Sequence, residues 1–304
     1  MSLGAQRQQR WRGIFAIPVT PFDQEMELDL DSLRAELDFC VEAGAAGIVH
    51  PVMASEFFTL TDDERITMMP VVTRRVNGRV PVVIGVAATS IQGARAFARA
   101  ARDAGADAVI AMPPYVTKFG PDDVVRYFEA ISRAAQVPLF IQNAGVASMG
   151  VPTLLQLVRE VEHVHYVKEE VAPAHHNIAR LVEAREPELW GVFGGGGAQN
   201  LIDELRRGAA GNMPAAQYTD VTSRIFTLWE LGKEAEAREL HTRLLPALQR
   251  ERLAGVASAK QVLVRRGVIR CPRTRGAGGP LDDYDRAEMD ALWPALESLF
   301  TWRR

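Results

Sequence analysis

Short, uninterrupted apolar runs recur through the first two-thirds of the chain. In order they are "GIFAIPVT" (13–20), "AGIVHPV" (46–52), "VPVVIGVA" (80–87), "DAVIAMPP" (107–114), "VPLFIQNA" (137–144), "HVHYVKEE" (163–170), "LWGVFGG" (189–195) and "AAGNMPA" (209–215). They do not alternate apolar with polar residues, so these runs suit strands covered on both faces, the pattern of a parallel sheet under helices. The eighth is the weakest strand by composition, and the spacing of the others is what argues for it.

Helix-like stretches separate the runs. "DLDSLRAELDFCVEAG" opens on capping acids and closes on Gly44; "SIQGARAFARAARDAG" ends on Gly105; "GPDDVVRYFEAISRAAQ" opens with Pro121 and two acids. "VPTLLQLVREVE" and "GAQNLIDELRRG" behave likewise. Three joints share one form ("EAGAAGIV", "DAGADAVI", "RRGAAGNM"), in which a glycine caps the helix and small residues let it pack on the next strand. Eight such units predict an α/β fold, a (β/α)8 TIM barrel over 1–220. An open doubly wound sheet fits less well, because the first strand lacks a glycine-rich dinucleotide turn. From about Val221 the strands stop, and 221–304 is expected to be a C-terminal helical extension that packs on the barrel or on a neighbouring subunit.

Composition narrows the class. The chain has 304 residues, 47% hydrophobic and 24% charged, with a net charge of −3 that supplies no basic patch for nucleic acid or a membrane surface. Cys40 and Cys271 are the two cysteines, far apart in sequence, and suit a reducing cytosol more than a disulfide framework or a thiolate metal site. The polar start "MSLGAQRQQRW" carries no signal-peptide pattern, and no apolar run is long enough to span a bilayer, so a cytoplasmic protein is expected.

In such a barrel, chemistry gathers at the C-terminal ends of the strands. There the sharpest residue is Lys168, in "VHYVKEEV". A desolvated lysine amine is a nucleophile for ketones, and the resulting Schiff base is an electron sink. Two readings are open: that nucleophile, or a strand-end lysine that reaches solvent or pairs with a glutamate. Residues two apart on a strand face the same way, so Glu170 shares the face of Lys168 while Glu169 points outward towards a helix. Glu170 is a candidate acid/base partner or a plain counter-charge. After the second strand, Ala54, Ser55 and Glu56 form a tight turn whose free amides suit a carboxylate, with the Ser55 hydroxyl beside them; Thr61 caps the helix that follows. "GVFGGGGAQN" lacks both the lysine of a phosphate loop and GxGxxG spacing, so it reads as close backbone approach to substrate at Gly194. Met213 ends the eighth strand, and Tyr115 follows the rigid "MPP" with reach towards a neighbouring site. His163, His165, His175 and His176 lack a further ligand at a strand end, so neither a metal nor any other cofactor is expected.

Taken together, "GIFAIPVTPFD", "SEFFTLTDDER", "GRVPVVIGVA", "AGADAVIAMPPY", "VPLFIQN", "YVKEE" and "GAAGNMPA" resemble the dihydrodipicolinate synthase / N-acetylneuraminate lyase family. The resemblance implies a Schiff-base lysine at Lys168, a carboxylate-binding turn at Met53–Glu56, and a homo-oligomer, tetramer or dimer. The chain departs from that pattern at three places. Gln142 stands where those enzymes carry a proton-shuttling tyrosine, and an amide is neither acid nor base near neutral pH. Met53 and Ala54 replace the threonine pair that relays protons to it, and "AGVASMG" has no counterpart of the carboxylate-binding arginine.

"AMPPY", the glutamine after strand five, "REVEHVHYVKEE" and "SAKQVLVRRGVIRCPR" are similar to the L-2-keto-3-deoxyarabonate dehydratase branch. This implies a lyase that dehydrates a small 2-keto-3-deoxy sugar acid through Lys168, with Gln142 and Glu170 as catalytic partners. Two alternatives stand beside it: a retro-aldolase that releases pyruvate, and a catalytically impaired keto-acid-binding relative. The "GGGG" run replaces acidic residues expected there in that branch.

Overall fold

The computed structural model describes residues 10–117, 119–276 and 279–303. Its strands are β1 (Gly13–Ala16), β2 (Gly47–His50), β3 (Val82–Gly85), β4 (Ala108–Ala111), β5 (Leu139–Asn143), β6 (Val164–Glu169), β7 (Gly191–Gly194) and β8 (Gly211–Asn212). They form one closed barrel in sequence order, each strand parallel to the next and β8 returning to β1. The helices that follow them are α1 (Leu30–Glu42), α2 (Asp62–Val76), α3 (Ile91–Asp103), α4 (Pro121–Ala135), α5 (Val151–Glu160), α6 (Ala174–Glu183), α7 (Leu201–Arg206) and α8 (Thr219–Glu230). Two more complete the chain, α9 (Glu234–Arg265) and α10 (Asp283–Glu297). The (β/α)8 TIM barrel and its helical extension are thus present.

Local chemistry sets the ends of these elements. Asp29 accepts from the Ser32 amide to start α1, and Thr61 and Glu64 form a reciprocal capping box on α2. Gly44, Gly105 and Gly208 end their helices at positive φ, where a side chain would be strained. The short eighth strand closes the barrel because Gly211 has no Cβ: an atom there would lie 1.8 Å from the Gly13 carbonyl oxygen.

Continuous apolar runs pack on both faces. Phe15, Val49, Val83, Ile110, Phe140, Tyr166 and Phe193 fill the barrel interior. Ala16, Ile48, Ile84, Val109, Ile141, Val167 and Val192 face Leu37, Val72, Phe97, Phe128, Leu157 and Leu181 of the helices. At the N-terminal end, Trp11 stacks on Tyr166 with ring centroids 5.4 Å apart and donates its amide to the Tyr166 hydroxyl. The floor is therefore aromatic and closed, and open space lies at the other end.

The expected change of character at 220/221 falls inside α8, which begins at Thr219 and packs on β1 as the eighth barrel helix. Beyond it, α9 runs across the barrel mouth and breaks direction at Gly255 (φ 59°, ψ −146°). A buried ion pair ties this extension down. Arg266 grips Asp220 through two hydrogen bonds of 2.9 and 2.8 Å, with both side chains at most 2% exposed, and Phe300 covers the guanidinium at 4.0 Å. Asp220 also accepts from the amides of Thr301 and Trp302. Removing one partner of such a pair strands the other charge, so Asp220→Ala should lower the unfolding free energy by about 3–5 kcal/mol, read as a drop in urea midpoint.

Candidate active site

Strand register assembles the site. Gln142 on β5 is paired with Lys168 on β6, and Lys168 with Phe193 on β7. Above the aromatic floor, Gln142, Lys168 and Glu170 point inward, while Asn143 and Glu169 point out. Lys168 is 3% exposed, and its Nζ lies 3.1 Å from Glu170 Oε2. Gln142 Nε2 donates to that same oxygen at 2.9 Å, and the Gly196 amide donates to Oε1 at 3.3 Å. Burial pushes the Glu170 carboxyl up, but the Lys168 charge and these hydrogen bonds outweigh it and hold the group below its ordinary range. Glu169 faces outward as its parity requires, accepting from Asn143 Nδ2 and from the Val171 amide, both at 2.7 Å.

Lys168 and Glu170 open into a cavity of about 520 Å³ that Met53, Ala54, Met213, Asn200, Glu251 and Val256 also line. A second cleft of about 570 Å³, beside Asp29 and Arg270, lies elsewhere on the surface, and its two charges pair with each other at 2.6 Å. The amides of Met53 and Ala54 open the 3-10 turn Met53–Ser55 and therefore have no carbonyl within it to donate to. Glu56 ends that turn in the left-handed region and points away from the cavity. There it meets Lys260 Nζ at 2.6 Å and the amides of Arg275 and Gly276, which fastens the turn to the C-terminal extension.

Three expected site residues lie elsewhere. The Ser55 hydroxyl donates to the Pro18 carbonyl at 2.7 Å, so it locks the turn from behind. Tyr115 packs edge-on against Phe57 in a separate cleft with Pro113, Val146 and Met149. The side-chain position of Gly194 faces away from the cavity: a Cβ there would fall 1.8 Å from Glu204 Oε2, on the outer side of the wall. The close approach that the glycine run permits is made by the chain's own acids. Glu170 occupies the Cβ space of Gly195, with its Oε1 2.4 Å from the Cβ position, and Glu251 lies 3.2 Å from that of Gly197. His165 stacks on Trp190 near the closed end of the barrel, away from the cavity.

Glu204 and Glu251 are the acids that sequence reasoning missed. Glu204 is buried and accepts from Asn212 Nδ2 at 2.7 Å. Desolvation pushes its carboxyl up to about 8, the Asn212 hydrogen bond opposing and the Glu170 charge adding. Glu251 is likewise pushed up by burial, to about 7, against a 2.6 Å hydrogen bond from Gln217. The sequence signal for both was the glycine run itself, which marks space that other residues must fill.

A carboxyl raised from 4.5 to about 8 holds a proton in the folded chain that the unfolded chain has released. Its contribution to stability is therefore greatest below the unfolded value and falls as pH rises through that window, by at most about 1.4 kcal/mol per pH unit. Glu204→Gln keeps the acceptor for Asn212 and cannot ionise. Urea midpoints at pH 5 and pH 8 should show a flatter pH dependence for the variant, and higher stability than wild type at pH 8.

Comparison with known proteins agrees with this architecture. The sequence matches the dihydrodipicolinate synthetase family over residues 10–295. It is 32% identical over 296 residues to the L-2-keto-3-deoxyarabonate dehydratase of Azospirillum brasilense, covering 95% of this chain and 96% of that one. It is also 32% identical over 206 residues to a probable 5-dehydro-4-deoxyglucarate dehydratase of Streptomyces avermitilis, covering 67% and 60%. The crystal structure of dihydrodipicolinate synthase from Rhodopseudomonas palustris superposes with a TM-score of 0.87 at 26% identity, covering 93% of this chain and 97% of that one. Among the described residues, no helix is long and apolar enough to cross a membrane. The chain, a closed barrel with a paired lysine and glutamate at its open end, belongs to the dihydrodipicolinate synthetase family.

Proposed function

We propose that the protein is a Schiff-base hydro-lyase that dehydrates a small 2-keto-3-deoxy sugar acid. The observation that carries this reading is the contact of Lys168 Nζ with Glu170 Oε2 at 3.1 Å, facing a cavity at the C-terminal end of the strands, with Gln142 where the related aldolases keep a phenol. The similarity to the Azospirillum dehydratase supports the same chemistry.

In this mechanism Glu170 takes a proton from Lys168, and the free amine attacks C2 of the keto acid. Glu170 returns that proton to the carbinolamine hydroxyl, which leaves as water, giving the protonated Schiff base and an ionised Glu170. Glu170 then removes a proton from C3 and passes it to the C4 hydroxyl, which the enamine expels as water, and a second water hydrolyses the remaining Schiff base to free Lys168. Gln142 holds the Glu170 oxygen in place without exchanging protons. The substrate carboxylate fits the free amides of Met53 and Ala54, and Met213 covers the opposite side. Tyr115, with the exposed Val116 and Val146 beside it, fits a homo-oligomer in which this cleft meets another copy.

Incubation with L-2-keto-3-deoxyarabonate and borohydride should add the mass of the reduced adduct at Lys168, and Lys168→Ala should show none. Product analysis should show loss of one water, and Glu170→Gln should lower kcat by about 10²–10⁴-fold. Folded wild type without an adduct, or release of pyruvate plus an aldehyde, would overturn the reading.

A further inference from the structure

Beyond Lys168 and Glu170, the cavity continues to a second acid on a different element. Glu251 lies on α9, which crosses the barrel mouth, and it lines the cavity with Asn200 and Arg252. The glycine turn after β7 separates the two acids: Glu170 fills the side-chain space of Gly195, and Glu251 lies over Gly197. At Gly197 φ is +64°, and an added Cβ would sit 3.2 Å from Glu251 Oε1, so this turn leaves its side-chain space to the acid from α9.

The presentation of Glu251 is fixed from behind. Gln217 Nε2 donates to Oε2 at 2.6 Å, and the Gln217 carbonyl accepts from Arg266 at 2.7 Å. Among the described residues, no other side chain hydrogen-bonds Glu251, so its second oxygen remains available to a ligand. A three-carbon keto acid anchored at Lys168 fills only part of a cavity of about 520 Å³, and the remainder extends towards Glu251.

We propose that Glu251 reads the far end of the substrate by hydrogen-bonding a distal hydroxyl, which makes the substrate a 2-keto-3-deoxy acid with a neutral hydroxylated tail. This rests on the dehydratase reading above. A carboxyl that titrates near neutrality can donate to or accept from a hydroxyl. A second carboxylate in the same place is repelled by the ionised acid and is met only by the protonated one, so a diacid must bring a proton into the contact that a hydroxyl does not need. Arg252 lines the cavity too, but it is exposed to solvent, which makes the diacid the competing substrate to test.

The experiment compares wild type, Glu251→Ala and Glu251→Gln on L-2-keto-3-deoxyarabonate and on 5-dehydro-4-deoxyglucarate, with borohydride trapping of pyruvate as a tail-free reference. Leu253→Ala, at an exposed position on the same helix, serves as the control for α9. Wild type should prefer the neutral tail. Glu251→Ala should lose about tenfold or more in kcat/KM for the neutral-tail acid relative to its pyruvate trapping rate, mostly in KM. Glu251→Gln, which retains an acceptor for Gln217, should shift the ratio of diacid to neutral-tail activity upward by about tenfold. Where the alanine variant does not fold, that ratio decides. An unchanged ratio, an alanine variant within about twofold of wild type, or a wild-type preference for the diacid overturns the proposal and leaves the dehydratase reading standing. Failure of wild type to trap pyruvate or substrate overturns both.

Discussion

A lysine inside a barrel needs a counter-charge, and here the counter-charge needs an opening in the neighbouring strand. Glu170 reaches Lys168 because Gly195 has no side chain; a Cβ there would lie 2.4 Å from the Glu170 carboxylate. Most of the site's layout follows from that contact. Gln142 has to sit opposite on β5 to complete the hydrogen bonding of the same oxygen, and the Gly196 amide completes the other. A buried ion pair of this kind adds little net stability, since desolvation opposes the attraction. What it provides is a fixed proton donor and acceptor pair at one end of a cavity.

The same wall carries carboxyl groups in different states. Glu170 is held below its ordinary range by the lysine charge and its hydrogen-bond donors, whereas Glu204, directly behind Gly194, has no cation in contact among the described residues and is raised to about 8. Environment separates chemically identical groups. The Glu170 charge adds to the rise at Glu204, because two negative charges on either side of a glycine strand repel one another through a medium of low dielectric.

The barrel was legible because parallel strands buried on both faces leave continuous apolar runs, and because glycine C-caps mark where each helix ends. The inward direction of Lys168 and Glu170 and the outward direction of Glu169 followed from strand parity alone. Gly194 and Ser55 were misread for a common reason: a glycine run or a hydroxyl at a strand end does not say which group takes up the space or the proton. Gly194 makes room for Glu204, ten residues on and on the other side of the wall, and the Ser55 hydroxyl is taken by Pro18. Sequence position did not link Glu251 to the site, since α9 is brought over the mouth by tertiary packing. The boundary expected at 220/221 falls inside α8, and contact with β1 is what places α8 with the barrel.

Gly194 and Gly197 thus leave their side-chain space to acids carried by helices, Glu204 on α7 and Glu251 on α9. An acid carried by the loop after β7 is held by the barrel alone, whereas Glu251 is held by α9, and α9 by Arg266 and its grip on Asp220. The wall of the cavity farthest from Lys168 therefore depends on the C-terminal extension, and the wall beside Lys168 on strand register. Glu56 repeats the arrangement on the opposite side, joining the Met53–Ala54 turn to Lys260 on α9 and to the backbone of Arg275 and Gly276. The Glu251 wall and the Met53–Ala54 turn are both fastened to the extension, while the contact of Lys168 with Glu170 is set by strand register. Changes in the extension can then reshape the far wall of the cavity while the Lys168–Glu170 contact, fixed by strands β5 to β7, stays in place.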